Sequence, residues 1–212
     1  TRNQFVGNAW SSGGNLNTGR RSVGGTNSGT QTAALAVGGT ADPGTVGNVE
    51  SYDGSSWTEV NDLNTARTQV GANVTESWNG SSWTEVNDLN TARQSLGGVG
   101  ADNTTALAFG GAPSPKAQTE SWNGSSWTEL NDLNSAGDDG GSAGITTSAL
   151  YFGGRRPGTV AINEQWNGTN WFEVNDMNTA SRKPTGFGTT SAAIAAGGLV
   201  PPQSTKTESW NG

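Results

Sequence analysis

The 212-residue chain contains no cysteine and no histidine. Without cysteine it can form no disulfide, thiolate metal site, iron–sulfur cluster or cysteine nucleophile, and the sequence carries no sign of a redox compartment. Without histidine it has no imidazole base, no imidazole metal ligand and no Ser-His-Asp triad. We therefore expect a protein that is not an enzyme, with no catalytic residue, no metal and no cofactor.

Basic residues are also few. The sequence contains 11 Lys and Arg and 18 Asp and Glu, which gives a net charge of −7. Such a balance disfavours nucleic acid, so a partner should be neutral, cationic or a glycan. No apolar stretch approaches the roughly 20 residues that span a bilayer, and we expect no membrane insertion. No signal peptide opens the sequence, which leaves a mature or excised form possible.

Aliphatic residues are scarce, whereas tryptophan is abundant. Leu, Ile, Val and Phe make up 31 of 212 residues, a fraction that resembles disordered chains. Nine Trp contradict disorder, because disordered segments are poor in aromatic residues. The placement of the Trp residues therefore decides the interpretation.

The Trp residues mark a tandem repeat. Residues 76–93 read ESWNGSSWTEVNDLNTAR, residues 50–67 differ from them at two positions, and further copies begin at Glu120 and Asn163. A worn copy, NQFVGNAW, ends at Trp10, and residues 207–212 begin another. Each copy opens on an aromatic residue, and each complete copy has a Trp five positions later; these structural aromatic pairs are Phe5 and Trp10, Tyr52 and Trp57, Trp78 and Trp83, Trp122 and Trp127, and Trp166 and Trp171, with Trp210 opening the last. All nine Trp occupy these two positions, which indicates an architectural role.

The repeat predicts an all-β fold, because each period resolves into four short strands separated by Gly, Asn, Asp, Ser and Pro. The third and fourth strands flank Asn-Gly-Ser-Ser, where either a two-residue type I′ turn or a four-residue loop brings both aromatic residues to one face. One such sheet cannot bury that face alone, whereas sheets stacked around an axis can. We expect a single β-propeller over residues 1–212, with about five blades in units at about 5–51, 52–77, 78–121, 122–165 and 166–209 and a partial unit at 210–212.

The sequence resembles the kelch-repeat family, whose units make four-stranded propeller blades. The resemblance lies in Gly-Gly doublets after apolar runs, at Gly38, Gly110, Gly153 and Gly197, followed by an aromatic pair. The Arg that often follows the Trp strand in that family has counterparts in Arg20, Arg67, Arg93 and Arg182, but Ala136-Gly137 replaces it once. A looser resemblance to the Asp-box of sialidase-like propellers, in residues 51–57, concerns a structural hairpin and implies no sialidase activity.

One unit is short, because only 26 residues separate Tyr52 from Trp78, whereas later units have 44. A deletion would leave a blade without its inner strands and expose strand edges. We favour the alternative that a stretch is missing from this sequence.

Several repeated polar residues have ordinary structural explanations. Asn-Asp-Leu-Asn, from Asn61, Asn87 and Asn131, and its Met variant from Asn175 are expected to cap turns, since one carboxylate per turn is too few for calcium. Glu59, Glu85, Glu129 and Glu173 are copies of one environment and are expected to be solvated strand residues. Asn79, Asn123 and Asn167 begin formal glycosylation triplets, but the turn explains Asn-Gly equally well.

The connections after the Gly-Gly doublets vary while their flanks stay nearly fixed. They hold the candidate ligand-binding residues Lys116, Arg155, Arg156 and Lys206. Loops on a rigid scaffold commonly bind ligands, although they can equally be unconstrained. The alternative that the Trp pairs stack on sugars is disfavoured, because their identical placement in each unit indicates inter-blade core.

These features predict a noncatalytic binding or structural module, localised to a virion or extracellular surface, that presents variable loops to a glycan or protein, either alone or as part of a larger assembly. The near-identical Asn/Gly/Ser/Thr-rich repeats resemble kelch-like repeat proteins of marine bacteriophage virions, which implies an adhesin or decoration protein. An intracellular kelch-type adaptor is the alternative, and a propeller glycosidase is less favoured.

Overall fold

A computed structural model describes residues 13–25, 32–68, 74–199 and 204–212, which form seventeen β-strands and no helix. The first sheet contains β1 (Gly24–Gly25), β2 (Ala34–Ala41), β3 (Gly44–Tyr52) and β4 (Trp57–Val60), and a hairpin of β5 (Thr75–Trp78) and β6 (Trp83–Val86) follows it. The second sheet contains β7 (Gly97–Asp102), β8 (Thr105–Phe109), β9 (Thr119–Trp122) and β10 (Trp127–Glu129). The third contains β11 (Gly141–Ile145), β12 (Ser148–Phe152), β13 (Asn163–Trp166) and β14 (Trp171–Val174), and the fourth contains β15 (Thr185–Thr189), β16 (Ala192–Ala196) and β17 (Thr207–Trp210).

The sheets form a β-propeller, as the repeat predicts. Within each sheet the strands pair antiparallel in chain order, and the first strand β11 contacts both β7 and β15 of the neighbouring sheets. The blade number differs from the expected five, because the described residues form four blades and the short unit contributes only the two-stranded hairpin β5–β6. That hairpin keeps the aromatic pair of its unit but has no apolar strand or Gly-Gly doublet to build the inner half of a blade.

The up-and-down order of the strands gives every blade two different ends. At the hairpin end lie the turns between the first and second strands and the Asn-Gly loops between the third and fourth. At the connecting end lie the variable connections between the second and third strands, together with the segments that cross to the next blade. Backbone bonds join the two sets at the connecting end, for example from Gly111 N to Gly137 O at 2.7 Å and from Leu133 N to Ala117 O at 2.9 Å.

The Asn-Gly hairpins adopt the four-residue loop, so that the aromatic residues pair directly. Trp78 lies opposite Trp83, and their ring centroids are 5.2 Å apart. The Asn79 side-chain oxygen accepts hydrogen bonds from the backbone N–H groups of Ser81 and Ser82, both at 2.9 Å. Gly80 next to it has φ of 97°, a conformation that glycine adopts without a steric cost. The Asn therefore closes the loop with its side chain, and the two-residue type I′ turn does not form.

The core lies between blades, where aromatic residues of one sheet pack on the apolar strand of the preceding sheet. Between the second and third sheets, Trp171 lies 4.8 Å from the Phe109 ring and donates from its indole N–H to Thr119 Oγ1 at 2.9 Å. Trp166 is 1% exposed in the same cluster. Aromatic rings bury far more area than aliphatic side chains do, so a few of them offset the shortage of Leu, Ile and Val. Phe5 and Trp10 lie outside the described residues.

The Gly-Gly doublets sit where the crossing segment passes closest to the second strand. Gly153 has φ of 64°, and a Cβ there would lie 2.4 Å from the carbonyl oxygen of Ser181. The adjacent Gly154 donates to that same oxygen at 2.8 Å. A side chain at Gly153 would therefore strain the backbone and disrupt this bond between a strand and the crossing to the next blade.

We expect Gly153→Ala to lower the free energy of unfolding by about 2 kcal/mol or more, because the added methyl group meets a backbone oxygen at positive φ. Gly158→Ala in the same connection is the control, since nothing lies within 4 Å of its Cβ position. It should change stability by less than about 0.5 kcal/mol. Urea unfolding of both variants measures the difference, and equal losses would contradict this role of the doublet.

Candidate binding site at the connecting end

All four candidate basic residues lie at the connecting end, but the fold uses them differently. Lys206 is exposed, and its Nζ donates to Thr179 Oγ1 at 3.2 Å. Lys116 is half-buried, and its backbone bonds with Gly111 and Gly137 fix its connection. Arg155 and Arg156 both form ion pairs within the third sheet. The connections that carry Lys116, Arg155 and Arg156 are thus held to the fold by hydrogen bonds and ion pairs.

Arg155 forms a bidentate pair with Asp138, from Nε to Oδ1 at 3.0 Å and from Nη2 to Oδ2 at 2.7 Å. The Asp138 side chain is fully buried, whereas that of Arg155 is 42% exposed. The hydrogen bond and the charge of Asp138 raise the pKa of the Arg155 guanidinium. Arg155 therefore has one edge bound to the fold and the other available at the surface.

Arg156 is a structural residue, because its side chain is only 3% exposed and its Nη1 lies 2.7 Å from Glu164 Oε1. Its guanidinium also lies 5.0 Å from the centre of the Tyr151 ring, whose burial raises the pKa of the phenol. A Cβ at Gly137 would lie 2.7 Å from Arg156 Nε. Arg156 thus fills the space that the repeated Arg occupies in other units and that Ala136-Gly137 leaves empty. Little of the Arg156 side chain remains accessible to a ligand.

The pair between Arg156 and Glu164 is one copy of a network that links each unit to the next. A glutamate two residues before the leading aromatic residue accepts hydrogen bonds from the backbone N–H and the side-chain amide of an Asn in the preceding unit. These bonds join Asn17 to Glu50, Asn64 to Glu76, Asn90 to Glu120, Asn134 to Glu164 and Asn178 to Glu208, at 2.7–3.1 Å. The preceding unit's arginine adds an ion pair in three copies, from Arg20 to Glu50, Arg67 to Glu76 and Arg93 to Glu120.

The fifth copy differs, because Ser181 rather than Arg182 takes the aligned position. The carbonyl oxygen of Ser181 accepts from Gly154, as that of Arg67 accepts from Gly39. Arg182 instead pairs through its backbone with Leu199. The expectation that Arg182 is the counterpart of the repeated arginine is therefore wrong by one residue.

The Asn-Asp-Leu-Asn segments bridge units and do more than cap local turns. Asn87 donates to Ser125 O in the next hairpin at 2.7 Å, and Asn90 donates to Trp127 O at 3.0 Å. Asp88 accepts from the backbone of Thr75 at 3.0 Å. The outer glutamates behave as expected and are exposed on the fourth strands; they are Glu59, Glu85, Glu129 and Glu173.

A second set of variable residues at the connecting end was missed by the sequence analysis. Ser22, Ser95, Asp139 and Lys183 each lie two residues before a first strand, and all have φ between 53° and 57°. Backbone bonds join Asp139 N to Ser95 O and Lys183 N to Asp139 O across adjacent blades. The sequence does contain a signal for this set. Each residue follows the repeated Arg position of its unit by two, and the residue type at that position varies between units, apart from the two serines.

This inner set carries charges of both signs. Lys183 Nζ lies 3.8 Å from Asp139 Oδ1, and its side chain is 44% exposed. Arg155 and Lys206 are further basic side chains of the connecting end that reach solvent.

Within the described ranges, no group of three or more Asp or Glu could hold a metal, and no helix is long and apolar enough to cross a membrane.

Comparisons with known proteins support the fold alone. No protein-family model matches the chain, and no curated protein matches it. Among solved structures, the chain is similar to one titled "Structure of YjhT", with a TM-score of 0.67 and 10% sequence identity over 90% of this chain and 80% of that one. Since the identity is so low, the likeness extends to the β-propeller architecture and not to a ligand.

We expect Arg156→Gly to destabilise the chain by about 3–5 kcal/mol, because it leaves the buried Glu164 carboxylate without its cation. Adding Gly137→Arg should restore most of that loss, since the space is then free and the arginine returns to its position in the other units. Lys206→Ala is the control and should be nearly neutral. Urea unfolding measures all four proteins, and a failure of Gly137→Arg to rescue would contradict the relocated pair.

Acid should weaken the Glu50 link. Burial alone would raise the pKa of Glu50, but hydrogen bonds from Asn17 and Arg20 outweigh it and hold the pKa below 4.5. A carboxyl with a lowered folded-state pKa stabilises the fold above its unfolded-state pKa, and that stability is lost as the pH falls through the folded-state value. Glu50→Gln should therefore cost most near pH 7 and least near pH 3, when unfolding is followed across that range. An equal loss of stability for Glu50→Gln at pH 3 and at pH 7 would contradict this role of the Glu50 carboxylate.

Proposed function

We propose that this chain is a noncatalytic binding module of a virion or another extracellular surface, and that its connecting end contacts a glycan or a protein. The proposal depends on the contrast between the two ends of the propeller. The hairpin end repeats nearly the same Asn-Gly loops in successive units, whereas the connecting end varies in length, charge and proline content. Selection for the fold alone explains why the hairpin end stays constant. A role in recognition accounts for variation that is confined to the connecting end.

The rigidity of the connecting end supports binding. Gly154 O accepts from Val160 N at 3.1 Å, which closes the connection after the third doublet, and Gly198 O accepts from Ser204 N at 3.0 Å, which anchors the described segment that carries Lys206. A preformed loop loses little conformational freedom when it binds, which favours affinity. The side chains of Arg155, Lys183 and Lys206 are then presented on a fixed backbone.

Charge favours a ligand that carries oxygen acceptors. Arg and Lys donate hydrogen bonds to carboxylate, sulfate and hydroxyl oxygens, which glycans and acidic protein surfaces both offer. The outer glutamates are exposed on strands, whereas Arg155, Lys183 and Lys206 lie in the segments between strands. The resemblance of the units to kelch-like repeats of bacteriophage virions supports the surface location.

A glycan array and a binding assay against protein extracts of candidate hosts test the proposal with the purified chain. We expect a reproducible ligand whose binding falls at least about tenfold in the double variant Lys183→Asn/Lys206→Ser, since two solvent-facing donors are lost. Asn is used at residue 183 because it tolerates positive φ. The control is Ser81→Ala/Ser125→Ala at the hairpin end, which should bind as the natural chain does.

Three results would overturn the proposal. They are equal loss of binding in the two double variants, absence of any ligand in both assays, and turnover of a sialoside panel. A defined intracellular protein as the only ligand would instead support the adaptor alternative and contradict the surface location.

A further inference from the structure

The short unit presents a strand edge that no described strand covers. In each four-stranded sheet the third strand lies between the second and the fourth, whereas β5 pairs only with β6 among the described residues. The Thr75 N–H points toward β6, because it donates to Asp88 Oδ1 at 3.0 Å. Successive residues of a strand alternate, so the backbone groups of Glu76 and Trp78 point to the other edge. Asn103 of the second sheet reaches that edge and donates to Trp78 O at 3.3 Å.

The repeated arginine shows which atom is missing beside β5. In the first two sheets its Nη2 donates to a carbonyl oxygen of the second strand, opposite the linked glutamate. These bonds run from Arg20 to Ala36 at 3.1 Å and from Arg93 to Ala108 at 3.2 Å. In the short unit, Arg67 donates from Nη1 to Val74 O at 2.7 Å instead. Its Nη2 contacts Glu76 but is buried without a hydrogen-bond partner among the described residues.

Side chains that flank the short unit are less buried than their counterparts between complete sheets. Leu35 and Val37 on the first sheet and Trp127 on the second are half-buried, whereas the aligned Leu107, Phe109 and Trp171 are at most 4% exposed. The Trp127 indole nitrogen has no hydrogen-bond partner in the described part of the chain, although the repeat places Thr75 where Thr119 accepts from Trp171. The hairpin β5–β6 therefore does not complete the interface by itself.

The complete sheets show what kind of strand fits this edge. Their second strands contain the runs ALAV, ALAF, ALYF and AIAA, each followed by Gly-Gly. The second and fourth positions of a run face the next sheet, as Leu107 and Phe109 do, and the first and third face the preceding one, as Ala149 and Tyr151 do. An extended apolar segment with smaller residues at alternate positions thus matches both neighbours of β5.

A second copy of the chain is not a ready source of this segment. Each of the four second strands already lies between a first and a third strand of its own sheet. Donating one of them would open a blade and leave new unpaired edges. The fitting strand must therefore come from another protein.

We propose that the open edge of β5 is a docking site for an extended apolar strand of a partner protein, which pairs antiparallel with β5. The carbonyl oxygen opposite Glu76 accepts from Arg67 Nη2, and a large side chain packs on Trp127 as Phe109 packs on Trp171. In this mode of recognition, main-chain bonds supply affinity and alternate side chains supply specificity. The site is separate from the connecting end and does not depend on the ligand proposed there.

A fluorescein-labelled peptide with the sequence of residues 104–111, TTALAFGG, tests the site on the purified chain by fluorescence anisotropy. We expect saturable binding, because this segment is the second strand of a complete sheet. In that sheet Gly110 N donates to Gln118 O, and Ala108 O accepts from Arg93. Alternate residues of the peptide, those that correspond to residues 106, 108 and 110, therefore direct their backbone groups at β5.

A matched pair of N-methylated peptides tests the direction of pairing. Methylation at the alanine that corresponds to Ala108 removes a donor that faces β5, and affinity should fall at least about tenfold. Methylation at the leucine that corresponds to Leu107 affects the opposite edge, and affinity should change by less than about twofold. Equal affinities of the two methylated peptides, or no saturable binding of the unmethylated one, would overturn the proposal.

Restoring the missing strands within the chain tests the location. Replacing residues 68–74 with a copy of residues 94–118 gives the short unit the 44-residue spacing of later units. The inserted strands should occupy the edge of β5 and reduce peptide binding at least about tenfold. Binding that this insertion leaves unchanged would contradict the site. Self-association of the original chain that the peptide competes away would assign the edge to a second copy and contradict a separate partner. The comparison of methylated peptides needs no variant and stands if the insertion does not fold.

Discussion

The structure depends on a buried carboxylate that cannot be satisfied within its own unit. Each glutamate of this series lies on the third strand of a sheet, and Glu50, Glu120 and Glu164 are at most 1% exposed. A buried charge without partners is strongly unfavourable. Its Asn partner comes from the segment that leaves the preceding unit in every copy, and its arginine partner does so in three copies, whereas Glu164 takes Arg156 from its own sheet. The position of every sheet is therefore tied to the crossing that precedes it, and the crossing is held in turn by the Gly-Gly doublets.

This arrangement explains how so few aliphatic residues sustain an ordered fold. The apolar clusters are small and lie between neighbouring sheets; one contains Trp166 and Trp171, and Trp210 packs against the other. Polar links surround them, made of side-chain amides, carboxylates and guanidinium groups that are mostly hydrogen-bonded. Buried polar groups rigidify a fold when they are satisfied, and here the same few contacts recur in each unit.

Much of the architecture could be predicted from the sequence, since the period, the hairpin and the aromatic positions are all local patterns. The all-β propeller followed from them, as did the exposed outer glutamates. The hairpin register stayed open because Asn-Gly suits two loops, and the structure decides it through the Asn side chain. The glutamate at Glu120 escaped notice because its meaning lies in contacts 30 residues away, with Asn90 and Arg93 of another unit.

The candidate site was located only in part. The variable connections do lie together at one end of the blades, but the direction of each side chain is a tertiary property that the sequence does not reveal. Arg155 and Arg156 are adjacent in the sequence, yet one is partly exposed and the other turns inward to Glu164. Lys183 was overlooked because its flanks read as part of the crossing segment, and its left-handed backbone is visible only in three dimensions.

The displaced arginine of the third sheet bears on how an array of near-identical units can change. Units that share most of their sequence are readily exchanged or duplicated by recombination, and three of the five links would survive such an exchange because each supplies the same Arg to the same Glu. The junction that carries Gly137 would not. A unit with the usual arginine placed before Glu164 would bring two guanidinium groups to one carboxylate, and a unit without Arg156 placed after Gly137 would bring none. This junction therefore fixes the order of two neighbouring units, whereas the three junctions with the usual arginine leave theirs interchangeable.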